Sequence, residues 1–86
     1  MFFVYLLKSL RDGRYYIGQC ADISKRFKRH QDGFVSATKN RRPLILLGVE
    51  EYDSRDAARY REYTLKINTN ERMKFYAKFD SLDKPL

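Results

Sequence analysis

The sequence predicts a small α/β layer structure of the α+β kind: a three-stranded antiparallel sheet flanked by about three helices, in the order β-β-α-β-α-α. Three observations predict it. Two stretches rich in aromatic and β-branched residues, Phe2 to Lys8 and Arg14 to Cys20, flank an Asp12-Gly13 pair. That pair is a strong hairpin signal because both positions tolerate positive φ. A third apolar run, Leu44 to Val49, has strand length. Between and after these runs, apolar residues recur at helical spacing behind capping residues. The 86 residues suit one domain spanning 1–86, and 43% hydrophobic with 34% charged residues is a globular composition.

Along the chain, Phe2 to Lys8 forms the first strand and Arg14 to Cys20 the return strand. If Asp12 and Gly13 are the two central turn residues, Tyr5 opposes Cys20, Leu7 opposes Gly18 and Ser9 opposes Tyr16. Alternation with period two then puts Tyr5, Tyr16 and Gly18 on one face. Asp22 caps a helix over Ile23 to about Gln31, with Ile23, Phe27 and His30 inward and Arg26 on the flank. Asp32-Gly33 ends it. Phe34 to Arg42 reads as a polar, basic loop. Pro43 opens the third strand, Leu44 to Glu51, whose near-continuous apolar character predicts cover on both faces. Asp53 or Ser54 caps a second helix reaching about Asn68, with Asp56 in its first turn. A short third helix covers Glu71 to Phe79, and residues 80–86 form a frayed tail.

The net charge is +7, and its distribution is one-sided. Residues 1–42 carry ten Lys/Arg against three Asp/Glu, whereas residues 43–86 carry eight of each. A basic field of this kind attracts polyanions, nucleic acid above all, with a solvated basic face as the plainer reading. Other classes are excluded. No apolar run approaches the roughly 20 residues of a membrane span, so no membrane role is expected. The apolar start lacks the basic region and cleavage site of a signal peptide, which makes a cytoplasmic protein the expectation. One cysteine, Cys20, excludes an internal disulfide and a cysteine-based zinc site.

Three sets of residues point to chemistry. Glu62 stands in the stripe Ala58–Glu62–Leu65 of the second helix. A carboxylate there is either paired with Arg26, Arg59 or Arg61, rotated to the helix edge, or a ligand for a hard divalent cation. Arg26 and His30 stack at i and i+4: a planar fork suited to phosphate beside a group that moves protons near neutral pH. The plainer reading makes His30 a helix C-terminal residue favoured by the dipole. Tyr5 and Tyr16 share a sheet face with Gly18, which permits a backbone or ligand to approach closely. Together these residues are consistent with phosphodiester chemistry.

The ordered residues resemble a known family. Phe3-Val4-Tyr5, followed by Tyr16-Ile17-Gly18, is similar to the paired motif of the GIY-YIG nuclease superfamily. Gln19, Asp22, Ile23, Arg26, Phe27 and His30 continue in that register. Arg42-Pro43 before an apolar strand, then Ala58, Arg61-Glu62 and Lys66, resembles the small standalone bacterial (YhbQ-like) branch. The likeness runs from about Phe2 to Tyr76. It implies a metal-dependent endonuclease acting on phosphodiesters of DNA or structured nucleic acid, with DNA repair among its expected roles. It also implies a catalytic set of Tyr5, Tyr16, Arg26, His30 and Glu62. Tyr5, with His30, would help deprotonate the attacking water, Arg26 would stabilise phosphoryl charge, and Tyr16 would position substrate or water. Glu62 would hold one Mg²⁺ or Mn²⁺. Arg14, Lys25, Arg29, Lys39, Arg41, Arg42 and Lys74 are the candidate nucleic-acid contacts.

Selectivity for structure rather than sequence is expected, since a domain this small has little surface for base readout. A protein partner or a homodimer is the way such a domain would be completed. The alternatives are a nucleic-acid-binding module of the same fold without turnover, and a protein-interaction domain in which Glu62 and Arg26 form an internal ion pair. The chain departs from the family pattern in its Phe-Val-Tyr first motif and in lacking an aromatic before Thr38. It also carries Lys74 near where active members have an asparagine.

Overall fold

The structure, a computed structural model, describes residues 1–80. Its sheet has the expected three antiparallel strands, β1 (Phe2–Ser9), β2 (Tyr15–Cys20) and β3 (Leu44–Tyr52), in the spatial order β2-β1-β3. The central strand is β1, and Val4, Tyr5, Leu6 and Leu7 are buried on both of its faces. Helix α1 (Ile23–Gln31) covers one face. Helices α2 (Arg55–Ile67) and α3 (Thr69–Phe79) cover the other. The element order is therefore β-β-α-β-α-α, with one added 3₁₀ turn at Lys39–Arg41 inside the predicted basic loop.

The hairpin register differs from expectation. Tyr5 pairs with Gly18, Leu7 with Tyr16 and Phe3 with Cys20. The reason is local chemistry in the turn. Ser9 Oγ accepts the N–H groups of Arg11 and Asp12, Asp12 Oδ1 accepts that of Arg14, and Gly13 takes φ +75°. These bonds hold a loop from Leu10 to Gly13 closed by Ser9 N–H to Arg14 C=O at 2.8 Å. A loop lengthened by two residues shifts the partners but keeps the alternation of faces. Tyr5, Tyr16 and Gly18 thus still share a side.

Helix α1 starts where expected: Asp22 accepts the Lys25 N–H at 3.0 Å. It stops at Gly33, whose φ of +84° only glycine adopts easily, with Phe34 N–H returning to the Arg29 carbonyl. Gln31 then ties the helix end to β3, donating to the Leu44 carbonyl and accepting its N–H. Ser54, not Asp53, caps α2. Asn68 caps α3, two residues earlier than predicted, by accepting the Glu71 N–H.

Two further expectations are corrected. The third strand is not covered on both faces. Leu46 and Val49 each stay 36% exposed, because the nine-residue α1 rises only about 1.5 Å per residue and is far shorter than the extended nine-residue strand it would have to cover. Asp80 is not frayed: it accepts from Lys8 Nζ at 2.9 Å and from the Tyr15 hydroxyl. The rest of the expected tail, 81–86, lies outside the described residues.

The two faces hold separate cores. Val4, Leu6, Ile17, Ala58, Leu65 and Phe75 pack under α2 and α3. Tyr5, Leu7, Cys20 and Leu44, with Ile23 and Phe27, pack under α1. The sheet therefore separates the residues of α1 from those of α2.

Candidate active site

Tyr5 is placed by the sheet. It sits on the central strand, directly opposite Gly18, with its side chain on the α1 face. A Cβ at position 18 would stand 2.4 Å from the Tyr5 hydroxyl oxygen and 2.5 Å from Cζ. The space that the glycine provides is thus filled by the Tyr5 ring itself, not by a ligand or another backbone. Tyr16 lies beside it, with ring centroids 6.3 Å apart.

Helix α1 brings two side chains down onto this phenol. Arg26 Nε–H donates to the Tyr5 oxygen at 3.3 Å, and His30 Nε2 is hydrogen-bonded to the same oxygen at 2.9 Å. The other imidazole nitrogen, Nδ1, is bonded to Thr38 Oγ1 at 2.7 Å. The His30 ring also meets the Tyr16 ring edge-on at 5.1 Å. His30 and Thr38 are both fully buried. The inward placement of His30 holds, and although it lies in the last turn of α1 it is more than a residue favoured by the dipole: it is an interior link between a strand and a loop. Thr38 is the residue that sequence reasoning missed. Its one signal was a threonine in an otherwise basic loop, and a loop threonine is ordinarily exposed. Tyr5, Ile23, Arg26, Phe27 and Leu46 line a shallow, half-open depression that encloses no space for a water.

The electrostatics follow from burial. Desolvation pushes the Tyr5 phenol up to about 12, against the pull of the Arg26 hydrogen bond. Desolvation, reinforced by the Arg26 charge, takes His30 down to about 4, so the imidazole is neutral at pH 7. The bond to Tyr5 in turn raises Arg26, which stays cationic.

Glu62 comes from the other layer. It makes none of the predicted arginine pairs. Arg26 is engaged with Tyr5, and Arg61 with Glu50 at 3.0 Å. Among the described residues its carboxylate, 24% exposed, pairs with Lys66 Nζ at 3.4 Å. Arg61 reaches across to Glu50 on β3. Glu62 is one residue, about 100°, further round the helix, and does not share that partner. No hydrogen bond, ion pair or ring contact joins it to the Tyr5 cluster. Among the described residues no group of three or more His, Cys, Asp or Glu is placed to hold a metal. A lone, accessible carboxylate fits Mg²⁺ only in its hydrated mode, with waters and substrate oxygens as the other ligands.

The candidate nucleic-acid contacts divide. Lys25, Arg29 and Lys39 are exposed on the α1 side, with Arg29 over the Phe34 ring, and Arg14 is exposed at the hairpin turn. Arg41 and Arg42 are engaged with the protein's own backbone. Arg41 donates to the Tyr15 carbonyl and pairs with Asp12. Arg42 donates to the Lys39 and Gln31 carbonyls. Lys74 is exposed on α3, in the opposite layer from α1.

Comparison with known proteins identifies the family. The family model described as the GIY-YIG catalytic domain matches residues 1–76. The chain belongs to the GIY-YIG family. Its relatives include a UPF0213 protein of Staphylococcus aureus, 37% identical over 71 residues that span 81% of this chain and 85% of that one. A UPF0213 protein of Staphylococcus saprophyticus is 38% identical over 65 residues, 74% of this chain and 78% of its own. The solution NMR structure of a UPF0213 protein from Bacillus halodurans superposes with a TM-score of 0.55 at 27% identity. That superposition covers 93% of this chain and 88% of the other. The GIY-YIG chain is thus a small member of a nuclease-domain family, of the UPF0213 (YhbQ-like) kind. Among its described residues no helix is long and apolar enough to cross a membrane.

Proposed function

We propose that this GIY-YIG chain acts as a single domain, in the cytoplasm, as a divalent-metal-dependent endonuclease on DNA or other structured nucleic acid, selecting structure rather than sequence. The observation that carries the reading is the Tyr5 phenol, buried at the family's motif position and held by both Arg26 and His30. Tyr5 supplies the basic oxygen toward the attacking water, and Arg26 neutralises charge building on the phosphoryl oxygens. Tyr16, edge-on to the His30 ring, positions the substrate. Glu62 is the residue that would hold Mg²⁺ or Mn²⁺, which polarises a phosphate oxygen when bound. The scissile strand would run along the edge strand β2, between the Tyr5 cluster on one side and Glu62 on the other. Lys25, Arg29, Lys39 and Arg14 supply phosphate contacts.

One observation favours a second reading, a binding module without turnover: Glu62 makes no contact with the phenol cluster. The test is incubation of purified protein with branched, flapped and plain DNA and with RNA, in Mg²⁺ or Mn²⁺, beside Tyr5→Phe, Arg26→Ala and Glu62→Ala. Cleavage lost in all three variants supports the nuclease. Salt-sensitive binding without cleavage in any metal supports the module. Cleavage that survives all three substitutions refutes the assignment.

A further inference from the structure

We infer that Phe34, with Arg29 beside it, is a stacking platform for an unpaired base of a nucleic-acid strand, so that the ligand of this domain carries single-stranded nucleotides. The inference deepens the nucleic-acid reading above and rests on it.

Phe34 is fixed at its backbone and open at its ring. Gly33 N–H donates to the His30 carbonyl at 3.2 Å and Phe34 N–H to the Arg29 carbonyl at 3.0 Å, the paired bonds of a glycine-terminated helix. The residue after such a glycine ordinarily lays an apolar side chain on the last turn. The positions it would meet here are Lys28 and Arg29, both charged and exposed. Among the described residues the ring's contact is with Arg29, whose guanidinium lies over it, 5.6 Å from the centroid. Phe34 stays 67% exposed. The loop behind it is tied at both ends. Arg42 donates to the Gln31 and Lys39 carbonyls, and a Cβ at Gly33 would stand 2.8 Å from its Cζ. The Thr38 and Lys39 N–H groups share the Val35 carbonyl, and Thr38 is bonded to His30 at 2.7 Å. A side chain on so constrained a backbone loses little further freedom when a ligand stacks on it.

Charge selects the occupant. Residues 23–42 carry seven Lys/Arg against a single acid, Asp32, which is paired with Lys28. That surround attracts a polyanion and repels a second copy of this basic chain. Cations alone would serve phosphates of any kind. An exposed ring adds a contact that phosphates cannot use, because it stacks on the face of a base. Base faces within a duplex are covered by their neighbours, so the ring takes bases that are unpaired or splayed out. Phe34 is four residues from His30, and at most about 14 Å of backbone lies between them. That is the length of about four stacked nucleotides, so a single strand is long enough to meet both Phe34 and the Tyr5 cluster that His30 belongs to.

The test is fluorescence anisotropy of the full-length protein with three probes of equal length: single-stranded oligothymidine, the same backbone with abasic sites, and a blunt duplex. Wild type should bind oligothymidine about 5- to 100-fold more tightly than the abasic strand, a comparison that needs no variant. Phe34→Ala should remove that advantage and leave abasic and duplex affinities within about twofold of wild type. Phe34→Trp should restore it. The slope of log K against log salt should not change in Phe34→Ala, because no phosphate contact is lost, and thermal melting should stay near wild type for so exposed a side chain. Equal wild-type affinity for oligothymidine and the abasic strand overturns the inference. So does a loss in Phe34→Ala that is shared by the abasic and duplex probes. A wild-type dimer in sedimentation equilibrium that Phe34→Ala dissociates also overturns it, by making the ring a contact between copies. Wild-type protein that binds none of the three probes refutes the nucleic-acid reading itself, and this inference with it.

Discussion

Gly18→Ala is the substitution that tests the site most directly, since it touches no proposed catalytic group yet strikes at the placement of one. The added methyl would lie 2.4 Å from the Tyr5 oxygen and 2.5 Å from Cζ, where ordinary contacts begin at 3.4 Å. Tyr5 must therefore retreat by about 1 Å. The 2.9 Å bond to His30 and the 3.3 Å bond from Arg26 would then both lengthen beyond hydrogen-bond range. Overpacking of a close-packed interior costs about 1–3 kcal/mol, and a lost hydrogen bond about 1 kcal/mol more. At about 4–8 °C per kcal/mol for a chain of this size, the melting temperature should fall by roughly 10–20 °C. Any cleavage at a temperature where the variant remains folded should fall as far as in Tyr5→Phe. Calorimetry of Gly18→Ala, Tyr5→Ala and the double variant closes a cycle. The methyl should cost little once the ring is gone, so the double variant should be nearly as stable as Tyr5→Ala. A Gly18→Ala protein within about 1 kcal/mol of wild type, or costs that simply add, would refute the packing of this ring against that glycine.

Three further outcomes are expected. His30 has a folded pKa of about 4, below the 6.5 of an unfolded chain, so the unfolded state binds the proton first and stability is lost as pH falls from 6.5 toward 4. The loss should reach about 3 kcal/mol, and urea titrations across that window should show it in the wild type but not in His30→Gln. Arg61→Ala leaves Glu50, 14% exposed, with Tyr52 and Lys78 as its remaining partners. It should cost about 2–3 kcal/mol in chemical denaturation, in contrast to Glu62→Gln, which loses only an exposed i,i+4 pair and should stay within about 0.5 kcal/mol. Arg29→Ala should weaken nucleic-acid binding and reduce the slope of log K against log salt by about 1, measured by fluorescence anisotropy, and an unchanged slope would remove Arg29 from the interface.

Glu50 illustrates what tertiary structure adds to a charge count. Burial would raise its carboxyl, but hydrogen bonds from Arg61, Tyr52 and Lys78 outweigh that and hold it below the usual range. By sequence it is one of two glutamates at the end of an apolar strand. In the fold it is the acceptor that fixes Arg61. The adjacent pair Arg61-Glu62 thus splits into an arginine committed to the scaffold and a carboxylate left accessible.

The sequence by itself determined the fold class, the order of elements, the Asp22 cap and the shared face of Tyr5, Tyr16 and Gly18. It also placed Arg26 and His30 together on the inner flank of α1. All of these are written in periods of two and 3.6 and in caps a few residues long, which act between near neighbours. Only the tertiary structure decided the hairpin register, the separation of Glu62 from the phenols by the sheet, the engagement of Arg41 and Arg42 with backbone carbonyls, and the burial of Thr38 against His30. Those depend on which distant groups packing brings within 3 Å of one another. Local pattern fixes the side on which a residue lies, but not which distant partner meets it there.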